Sequence, residues 1–196
     1  MLKKFVFYLA RFVIKVFCRI EIHGRENIID GNVVYVCNHQ SIFDAILNFY
    51  ILPQTTCFMA KKELFSFKPL GWILKKIGVF SVDRRSIDLA SVRYACQILK
   101  EKKNLCIYPQ GTRTDSPIVK LEQMHAGVAM IALKNSSRVV PMMYTSKPAM
   151  FKKNVLYIGK QLDLSEFEGK KANSAVQKEF IQKITVEMNN LLEVNK

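Results

Sequence analysis

The fold is decided by the stretch from residue 33 to residue 44, Val33-Val34-Tyr35-Val36-Cys37-Asn38-His39-Gln40-Ser41-Ile42-Phe43-Asp44. Its first five residues are apolar and mostly β-branched, which is typical of a buried strand, and the polar residues that follow mark the end of that strand. A second apolar segment, from residue 41 to residue 52, predicts a helix that Pro53 ends. The stretch therefore predicts a strand-to-helix turn that carries His39.

His39 and Asp44 form a candidate catalytic dyad. On one continuous helix these two side chains would lie about 140° apart, so they can pair only if His39 lies in the turn and Asp44 in the first helical turn. A histidine so placed accepts a proton from an attacking hydroxyl, while the carboxylate fixes the imidazole tautomer and stabilises the imidazolium that forms. The alternative is a polar loop histidine beside an aspartate that only favours the helix dipole.

Length and charge limit the classes of partner. A chain of 196 residues is one domain by the usual size range, and it is long enough to bury a core. Lys plus Arg number 30 against 16 Asp plus Glu, a net charge of +14. Such an excess indicates an anionic partner: nucleic acid, an anionic membrane surface, a phosphorylated substrate or an acidic protein.

The cysteines are predicted to be reduced core residues of a cytosolic chain. They are odd in number, scattered and mostly inside apolar runs: Cys18, Cys37, Cys57, Cys96 and Cys106. Cys37 lies two residues from His39, but its strand position favours burial over a role as nucleophile. The histidines and cysteines lack the ligand spacing of zinc sites, so we predict no metal.

The N-terminal segment, residues 1–22, is apolar and aromatic but carries charges. On a helical wheel its basic side chains fall within about 80° of one another, namely Lys4, Arg11, Lys15 and Arg19. A transmembrane span needs roughly 18 or more nearly uncharged residues, and Arg11 and Lys15 interrupt this run. We therefore predict that residues 1–24 form an amphipathic segment at the membrane interface and that residues 25–196 form the main domain. An ordinary core helix is the alternative.

Two further apolar strands are also predicted to end in polar clusters. Residues 78–83 lead to Arg84 and Arg85, whose forked donors match phosphate, and Ser86 is predicted to cap the next helix. Residues 104–108 lead to a loop with three features of a phosphate cradle: Gly111, Thr112 and Arg113. The alternatives are solvated surface arginines and an ordinary Pro/Gly turn.

The remaining chain alternates between strands and helices. Strands are predicted at residues 55–60, 139–144 and 154–158, and helices at 124–135 and 175–194; Pro141 indicates an end or edge position. Residues 65–72 are predicted to form an amphiphilic loop whose aromatics suit either a lipid surface or the core. The pattern predicts a single α/β domain with a mixed sheet flanked by helices and polar clusters at one end of its strands.

Taken together, these clusters resemble the conserved blocks of the glycerolipid acyltransferase family, within it the bacterial 1-acylglycerol-3-phosphate acyltransferases. Residues 38–44 are similar to the block Asn-His-x4-Asp, and residues 78–84 to a block whose arginine contacts glycerophosphate. Residues 108–113, Tyr-Pro-Gln-Gly-Thr-Arg, are similar to Phe-Pro-Glu-Gly-Thr-Arg, and Val140-Pro141 to a proline block associated with the acyl-donor site. The blocks occur in the family's order over most of the chain.

Two positions depart from the family pattern. Gln110 stands where the family usually has glutamate, and a neutral amide neither balances Arg113 nor acts as a base. We expect it to alter the orientation or preference of the substrate. The lysine common before Gly127 is absent, and His125 and Ala126 stand there instead.

The resemblance implies a phospholipid-biosynthesis enzyme. His39, oriented by Asp44, would deprotonate the sn-2 hydroxyl of lysophosphatidic acid for attack on an acyl thioester of acyl-carrier protein or coenzyme A. Phosphate and glycerol would be held by residues of the second and third blocks and of the strand before them: Arg84, Gln110, Gly111, Thr112, Arg113 and Lys61. The resemblance implies no cofactor and a peripheral location on the cytoplasmic face of the inner membrane.

Two rival functions are compatible with the sequence. One is acylation of another lysolipid, such as a lyso-ornithine lipid. The other is a non-enzymatic basic protein that binds membrane or nucleic acid. No nucleic-acid motif is present and the aromatics lie in apolar runs, which speaks against nucleic acid.

Overall fold

One mixed sheet organises the chain in the computed structural model, which describes residues 5, 8, 9, 12, 14, 16–83 and 88–193. The strands among the described residues are β1 (Arg19–His23), β2 (Val33–Cys37), β3 (Thr56–Lys61), β4 (Val79–Val82), β5 (Asn104–Ile107), β6 (Arg138–Tyr144) and β7 (Lys153–Ile158). Their spatial order is β1-β7-β6-β2-β5-β3-β4. All neighbours are parallel except β6 and β7, which are antiparallel. The predicted α/β fold with a mixed sheet is confirmed.

Strand β2 lies inside the sheet between β5 and β6. All five of its residues are fully buried, as its unbroken apolar run predicts. Its side chains alternate between the two faces, so Val34 and Val36 belong to one core cluster while Tyr35 and Cys37 belong to the other.

Helices cover both faces of the sheet. The described residues form α1 (Ile42–Ile51), α2 (Lys68–Lys76), α3 (Leu89–Lys100), α4 (Gly127–Lys134) and α5 (Ser174–Glu193), with short 3-10 helices at Arg25–Asn27, Lys62–Phe65, Leu121–Gln123 and Ser165–Phe167. Helices α3, α4 and α5 pack with Val34 and Val36. Side chains of α1, α2 and the N-terminal segment, including Leu47, Leu74 and Ile14, pack on the opposite face.

The parallel strands bring the polar clusters together. Strands β2, β3, β4, β5 and β6 share one direction, so their carboxyl ends meet at one edge of the sheet. The segments that leave this edge include the turn with His39, the loop after β5 and the start of the segment after β3. The predicted gathering of polar clusters at one end of the strands is thus confirmed for the described residues.

The predicted N-terminal helix ends earlier than expected. Its described residues up to residue 17 are helical, namely Phe5, Tyr8, Leu9, Phe12, Ile14, Val16 and Phe17, whereas Cys18 is not. Residues 19–22 are not helical but belong to β1, because Ile20 and Ile22 alternate with Glu21 and so follow a period of two. Three members of the predicted basic stripe, Lys4, Arg11 and Lys15, lie outside the described residues, and interfacial binding stays a prediction. Among the described residues, no helix combines the length and the apolar character that crossing a bilayer requires.

The prediction that Pro141 marks an end or edge position is wrong. Pro141 lies in the middle of β6, an interior strand, opposite Val36 of β2. Its carbonyl accepts a hydrogen bond of 2.9 Å from Gly159 N, just beyond the end of the β6–β7 ladder. Since the amide and carbonyl of one strand residue point to the same side, the missing N–H of Pro141 faces Gly159. Proline therefore removes one reciprocal hydrogen bond at the end of the β6–β7 ladder and none of those to β2.

Three predicted boundaries also need correction. The amphiphilic loop at 65–72 contains the start of α2 at Lys68, with a proline in its first turn. Helix α3 begins at Leu89 with Asp88 as its N-cap, whose side chain accepts from Ser91 N; the predicted cap, Ser86, lies outside the described residues. Helix α4 begins at Gly127, later than residue 124, because Leu121–Gln123 forms a separate 3-10 turn.

Candidate active site

His39 and Asp44 form the predicted dyad. His39 Nδ1 lies 2.8 Å from Asp44 Oδ2, with Asp44 fully buried and His39 exposed by only 9%. An ionised carboxylate only accepts, so Nδ1 carries the proton and Nε2 is left as the basic nitrogen. As predicted, His39 lies in the turn after β2 and Asp44 in the first turn of α1. The pair therefore has the arrangement of a base and the group that orients it, and its catalytic role stays a prediction.

The same carboxylate also begins helix α1. Asp44 Oδ2 accepts hydrogen bonds from the backbone N–H groups of Gln40, at 2.6 Å, and Ser41, at 2.8 Å. Ser41 and Asp44 form a capping box, in which the Ser41 hydroxyl accepts from the backbone N–H of Asp44 and the Asp44 carboxylate accepts from that of Ser41; the Ser41 hydroxyl also accepts from Phe43 N at 3.2 Å. A carboxylate held by two backbone donors has a fixed position before any substrate binds. The local rule that starts the helix thus also positions the dyad.

The loop after β5 holds the backbone of His39 from both sides. Gln110 Oε1 accepts from His39 N at 2.8 Å, and His39 O accepts from Thr114 N at 2.8 Å. Gln110 Nε2 in turn donates to Thr114 Oγ1 at 3.1 Å and to Gln123 Oε1 at 3.5 Å. The Gln110 side chain is 2% exposed, and both ends of its amide are engaged within the protein. The loop after β5 therefore holds the turn that carries His39 by hydrogen bonds to the backbone of that residue.

Tyr108 fixes the plane of the imidazole. Its ring stacks on that of His39, with centroids 4.4 Å apart and an interplanar angle of 27°. Its hydroxyl accepts from Asn48 Nδ2 at 3.0 Å, and Asn48 Oδ1 accepts from the hydroxyl of Tyr144 at 2.8 Å. Burial raises the pKa of both tyrosines well above the ordinary range, so they stay neutral.

Asn38 ties the end of β2 to the end of β6. Its Oδ1 accepts from Tyr144 N at 2.9 Å, and its Nδ2 donates to Tyr144 O at 3.0 Å. The amide thus replaces a pair of ladder hydrogen bonds where β2 stops. Burial also raises the pKa of the neighbouring Cys37 thiol well above its usual range, which agrees with its exclusion as nucleophile.

A cavity of about 490 Å³ is lined in part by Tyr108, the residue whose ring stacks on His39. Its lining joins Tyr108 and Gly111 to apolar side chains of β3, β5, α3 and α4, including Met59, Ile107, Val92, Val128 and Ile131. Polar side chains border it as well, namely Asp83, Asp88, Ser91 and His125. Hydrogen bonds from Asp83 N and Ser91 lower the pKa of Asp88 to about 2, so this carboxylate is ionised at neutral pH. The cavity therefore suits an apolar group better than a phosphate.

The other predicted site residues are more widely spread. Gly111 adopts a φ of +65°, and a Cβ there would lie 2.6 Å from His125 Nε2, so the close approach it permits is that of a side chain. Thr112 and Arg113 are exposed. Lys61, at the end of β3, is exposed and lies 3.5 Å from the carboxylate of Glu63. Pro141 is buried in β6, and Arg84 lies outside the described residues. Their assigned roles stay predictions.

Sequence reasoning missed the residues that support the dyad. These are Asn38, Ser41, Asn48, Tyr108, Thr114 and Tyr144. One of them had a readable signal, because Ser41-Ile42-Phe43-Asp44 fits the capping-box pattern of serine followed three residues later by an acid. The others act across 60 to 106 positions of sequence, which local patterns do not reveal.

Known proteins resemble this chain in sequence and in structure. A family model described as acyltransferase matches residues 19–145. The 1-acyl-sn-glycerol-3-phosphate acyltransferase of Bacillus subtilis is 35% identical over 155 residues, which cover 76% of each chain. The protein of the same name from Streptococcus pneumoniae is 28% identical over 85% of this chain and 63% of its own. The crystal structure of a 1-acyl-sn-glycerophosphate acyltransferase from Thermotoga maritima matches with a TM-score of 0.74 at 23% identity, over 98% of this chain and 79% of that one, and shows the same fold.

The family model spans more than half of the chain, and it includes the dyad and the loop that clamps it. The Bacillus subtilis relative independently covers most of the same residues. This chain therefore belongs to the acyltransferase family and is an enzyme that transfers acyl groups.

Proposed function

We propose that this enzyme transfers an acyl chain from a thioester to the sn-2 hydroxyl of 1-acyl-sn-glycerol 3-phosphate, lysophosphatidic acid, and so forms phosphatidic acid. The observation that carries the proposal is the 2.8 Å contact between His39 Nδ1 and Asp44 Oδ2 in a turn whose backbone is held on both sides. The relatives from Bacillus subtilis and Streptococcus pneumoniae, both named 1-acyl-sn-glycerol-3-phosphate acyltransferase, support the same acceptor. The product is a phospholipid precursor.

The reaction is a direct transfer. His39 Nε2 takes the proton of the sn-2 hydroxyl, and the oxygen attacks the carbonyl carbon of the thioester. The tetrahedral intermediate collapses as the carbon–sulfur bond breaks, and the imidazolium returns its proton to the leaving thiolate. Asp44 stabilises the imidazolium between these two steps. The steps need no acyl-enzyme, and we propose that they use no metal ion or organic cofactor, because imidazole and carboxylate supply the proton transfer.

The substrate parts are assigned by chemistry. The apolar lining of the cavity beside Tyr108 suits an acyl chain, and the ionised Asp88 at its border repels a phosphate. We assign the phosphate to the basic residues of the sequence prediction, Arg84 and Arg113 with Lys61, and the acyl donor to the region of Pro141. The donor is the thioester of acyl-carrier protein or of coenzyme A, both of which are anionic and suit a chain of net charge +14.

The proposed location is peripheral, on the cytoplasmic face of the inner membrane. Large apolar side chains of the N-terminal helix are exposed, for example Phe5 and Tyr8 at 63% each and Phe12 at 66%. An exposed apolar helix face is typical of interfacial binding. Such binding would bring the dyad to a substrate that resides in the bilayer.

Acyl transfer by the wild type tests the proposal. Lysophosphatidic acid and a lyso-ornithine lipid are offered as acceptors, each with acyl-carrier protein and coenzyme A thioesters as donors, and the products are separated by mass. Formation of phosphatidic acid with at least one donor is expected. Transfer to the lyso-ornithine lipid alone would replace the acceptor, and a lack of transfer to any lysolipid would overturn the function.

A further inference from the structure

The segment between β3 and β4 exposes apolar side chains that a folded domain normally buries. Phe67 is 67% exposed and Trp72 57%, and Leu64, Leu70 and Ile73 are each more than a third exposed. These five residues, which we call the α2 surface, belong to the 3-10 helix Lys62–Phe65 and to α2 or lie between them. Several large apolar side chains exposed on one short segment indicate an interaction site.

The packing of α2 on the domain explains why these side chains are exposed. Gly71 is the buried residue of the helix, and a Cβ on it would lie 2.9 Å from Phe65 O, so the helix is pressed against the preceding turn at this point. Leu74 packs against the core cluster that contains Tyr35 and Ile14. Because these positions face inward, Trp72 and Ile73 face outward.

Lysines surround the α2 surface. Lys62, Lys68, Lys75 and Lys76 are all exposed, and Lys76 Nζ lies 5.9 Å from the centroid of the Trp72 ring. The segment from Lys61 to Lys76 contains one acidic residue, Glu63. An aromatic and aliphatic face with lysines around it matches the two layers of a bilayer interface, since the rings reach the acyl boundary and the ammonium groups remain at anionic headgroups.

The position of the segment favours the same partner. It leaves the sheet at the carboxyl end of β3, the edge at which His39 follows β2. Its inner side chains Phe65 and Leu74 pack in the same cluster as Ile14 of the N-terminal helix, on the same face of the sheet. Large exposed apolar residues are concentrated on this face and continue at Ile42 of α1, which is 53% exposed.

We propose that the α2 surface is a second membrane contact, distinct from the N-terminal segment. It binds anionic phospholipid and orients the sheet edge that carries His39 toward the bilayer. This inference rests on the proposed function, in that a lysolipid acceptor requires the enzyme to reach a membrane. An acidic carrier protein would also meet the lysines, but it gives no reason for the exposed aromatic rings.

The chain offers a direct probe, because Trp72 is its only tryptophan. Tryptophan emission is recorded with the full chain and vesicles of equal parts phosphatidylglycerol and phosphatidylcholine, with and without bromine on the acyl chains. We expect a blue shift on binding and quenching by the brominated lipid. Vesicle-bound protein whose Trp72 emission is unshifted and still quenched by aqueous iodide would overturn the proposal. A shift caused by acyl-carrier protein, with none caused by vesicles, would overturn it in favour of that partner.

A matched pair of double variants tests the surface by vesicle sedimentation. Phe67→Ser with Trp72→Ser should weaken partitioning to the anionic vesicles by at least about tenfold, because two large apolar rings no longer enter the interface. Tyr94→Ser with Val186→Ser removes side chains that are 50% exposed on α3 and α5, on the opposite face, and should leave partitioning unchanged. Equal effects of the two pairs would contradict the proposal, and thermal unfolding checks that both variants fold.

These readouts need no turnover. A wild type that inserts Trp72 into vesicles but transfers no acyl group would support the α2 surface while overturning the proposed function. With an active enzyme, the Phe67→Ser and Trp72→Ser variant should lower the rate with a vesicle-borne acceptor more than with a short-chain acceptor in solution. A loss of the same size with both acceptors would contradict a role in membrane contact.

Discussion

The dyad turn and the α2 surface depart from the usual distribution of side chains in opposite ways. Around His39, polar groups are buried: Asn38 and Asp44 have no exposed area, and Gln110 is 2% exposed. On the segment after β3, apolar groups are exposed, with Phe67 at 67% and Trp72 at 57%. Both regions leave the same edge of the sheet, from the carboxyl ends of parallel strands.

Both regions break the usual rule that polar side chains are exposed and apolar side chains are buried, and both are candidate functional sites. A buried polar cluster is costly unless its donors and acceptors are paired. In the dyad turn, Gln110 and Thr114 pair the backbone of His39 and Tyr144 pairs Asn38, whereas Asp44 Oδ1 has no hydrogen-bond partner among the described residues. An exposed apolar cluster gains nothing from the folded monomer and is explained by a partner outside it. Departures of this kind are expected at functional sites.

The largest predicted effect is that of Asp44→Asn. The amide keeps one oxygen for the N–H groups of Gln40 and Ser41, but it no longer stabilises an imidazolium at His39. The rate of acyl transfer should fall by about a thousandfold to ten-thousandfold, by analogy with the aspartate of serine-protease triads. Steady-state kinetics measure the loss, with Asp163→Asn on an exposed turn as control. A loss below tenfold would remove Asp44 from the mechanism.

A smaller effect distinguishes two substitutions of Gln110. Gln110→Ala removes the acceptor of His39 N and should lower the free energy of unfolding by about 1–3 kcal/mol, with a reduced rate. Gln110→Glu retains an oxygen for His39 N, so it should lose less of both quantities. Urea unfolding and kcat/KM are compared for the two variants. If they lost equal amounts, the backbone clamp would not be the function of this side chain.

Two substitutions of Tyr108 should have still smaller effects, and together they separate the role of its ring from that of its hydroxyl. Tyr108→Phe keeps the ring stacked on His39 and removes only the hydroxyl that accepts from Asn48, so it should cost about 1 kcal/mol of stability with little change in rate. Tyr108→Leu loses the aromatic pair and should slow transfer by up to about tenfold. Thermal unfolding and kinetics on both variants separate the two contributions. A slower Phe variant than Leu variant would contradict the stacking role.

The smallest effect, on the free energy of unfolding, is expected for a substitution on the exposed side of helix α2. Lys75→Gln lies on the outer side of α2, away from the core, and surface substitutions of this kind change the free energy of unfolding by about 0.5 kcal/mol or less. Urea unfolding checks this value, with Asn38→Ala as the buried counterpart that should be clearly less stable. A large loss for Lys75→Gln would show that α2 has a structural role that its exposure does not suggest.

Much of the sheet was predictable because its strands are short apolar runs ended by polar clusters. Strand β2 and helix α1 follow from residues 33–52 by local rules alone, and His39 and Asp44 were paired by their spacing. The sequence also contains the signal for the capping box at Ser41, a serine followed three residues later by an acidic residue. Local periodicity and turn chemistry are sufficient for such features.

The remaining features depend on distant parts of the chain. The missing donor of Pro141 predicts an edge position, because the sequence does not reveal that β7 ends beside this residue. The hydrogen bond from His39 N to Gln110 Oε1 joins residues 71 positions apart, which no local pattern reveals, and the substrate role of Gln110 stays a prediction. Residues 19–22 are predicted to be helical but form a strand that pairs with β7. This tertiary contact overrides the preference of the local sequence.

The most direct test of the account is acyl transfer by His39→Ala beside His23→Ala, an exposed histidine on β1. Both variants are assayed with a short-chain lysophosphatidic acid in solution, and Trp72 emission with anionic vesicles confirms that each still binds membrane. The account predicts that His39→Ala loses activity by at least about a thousandfold while His23→Ala stays near the wild type. A His39→Ala enzyme that folds, binds vesicles and transfers acyl chains at the wild-type rate would contradict the dyad.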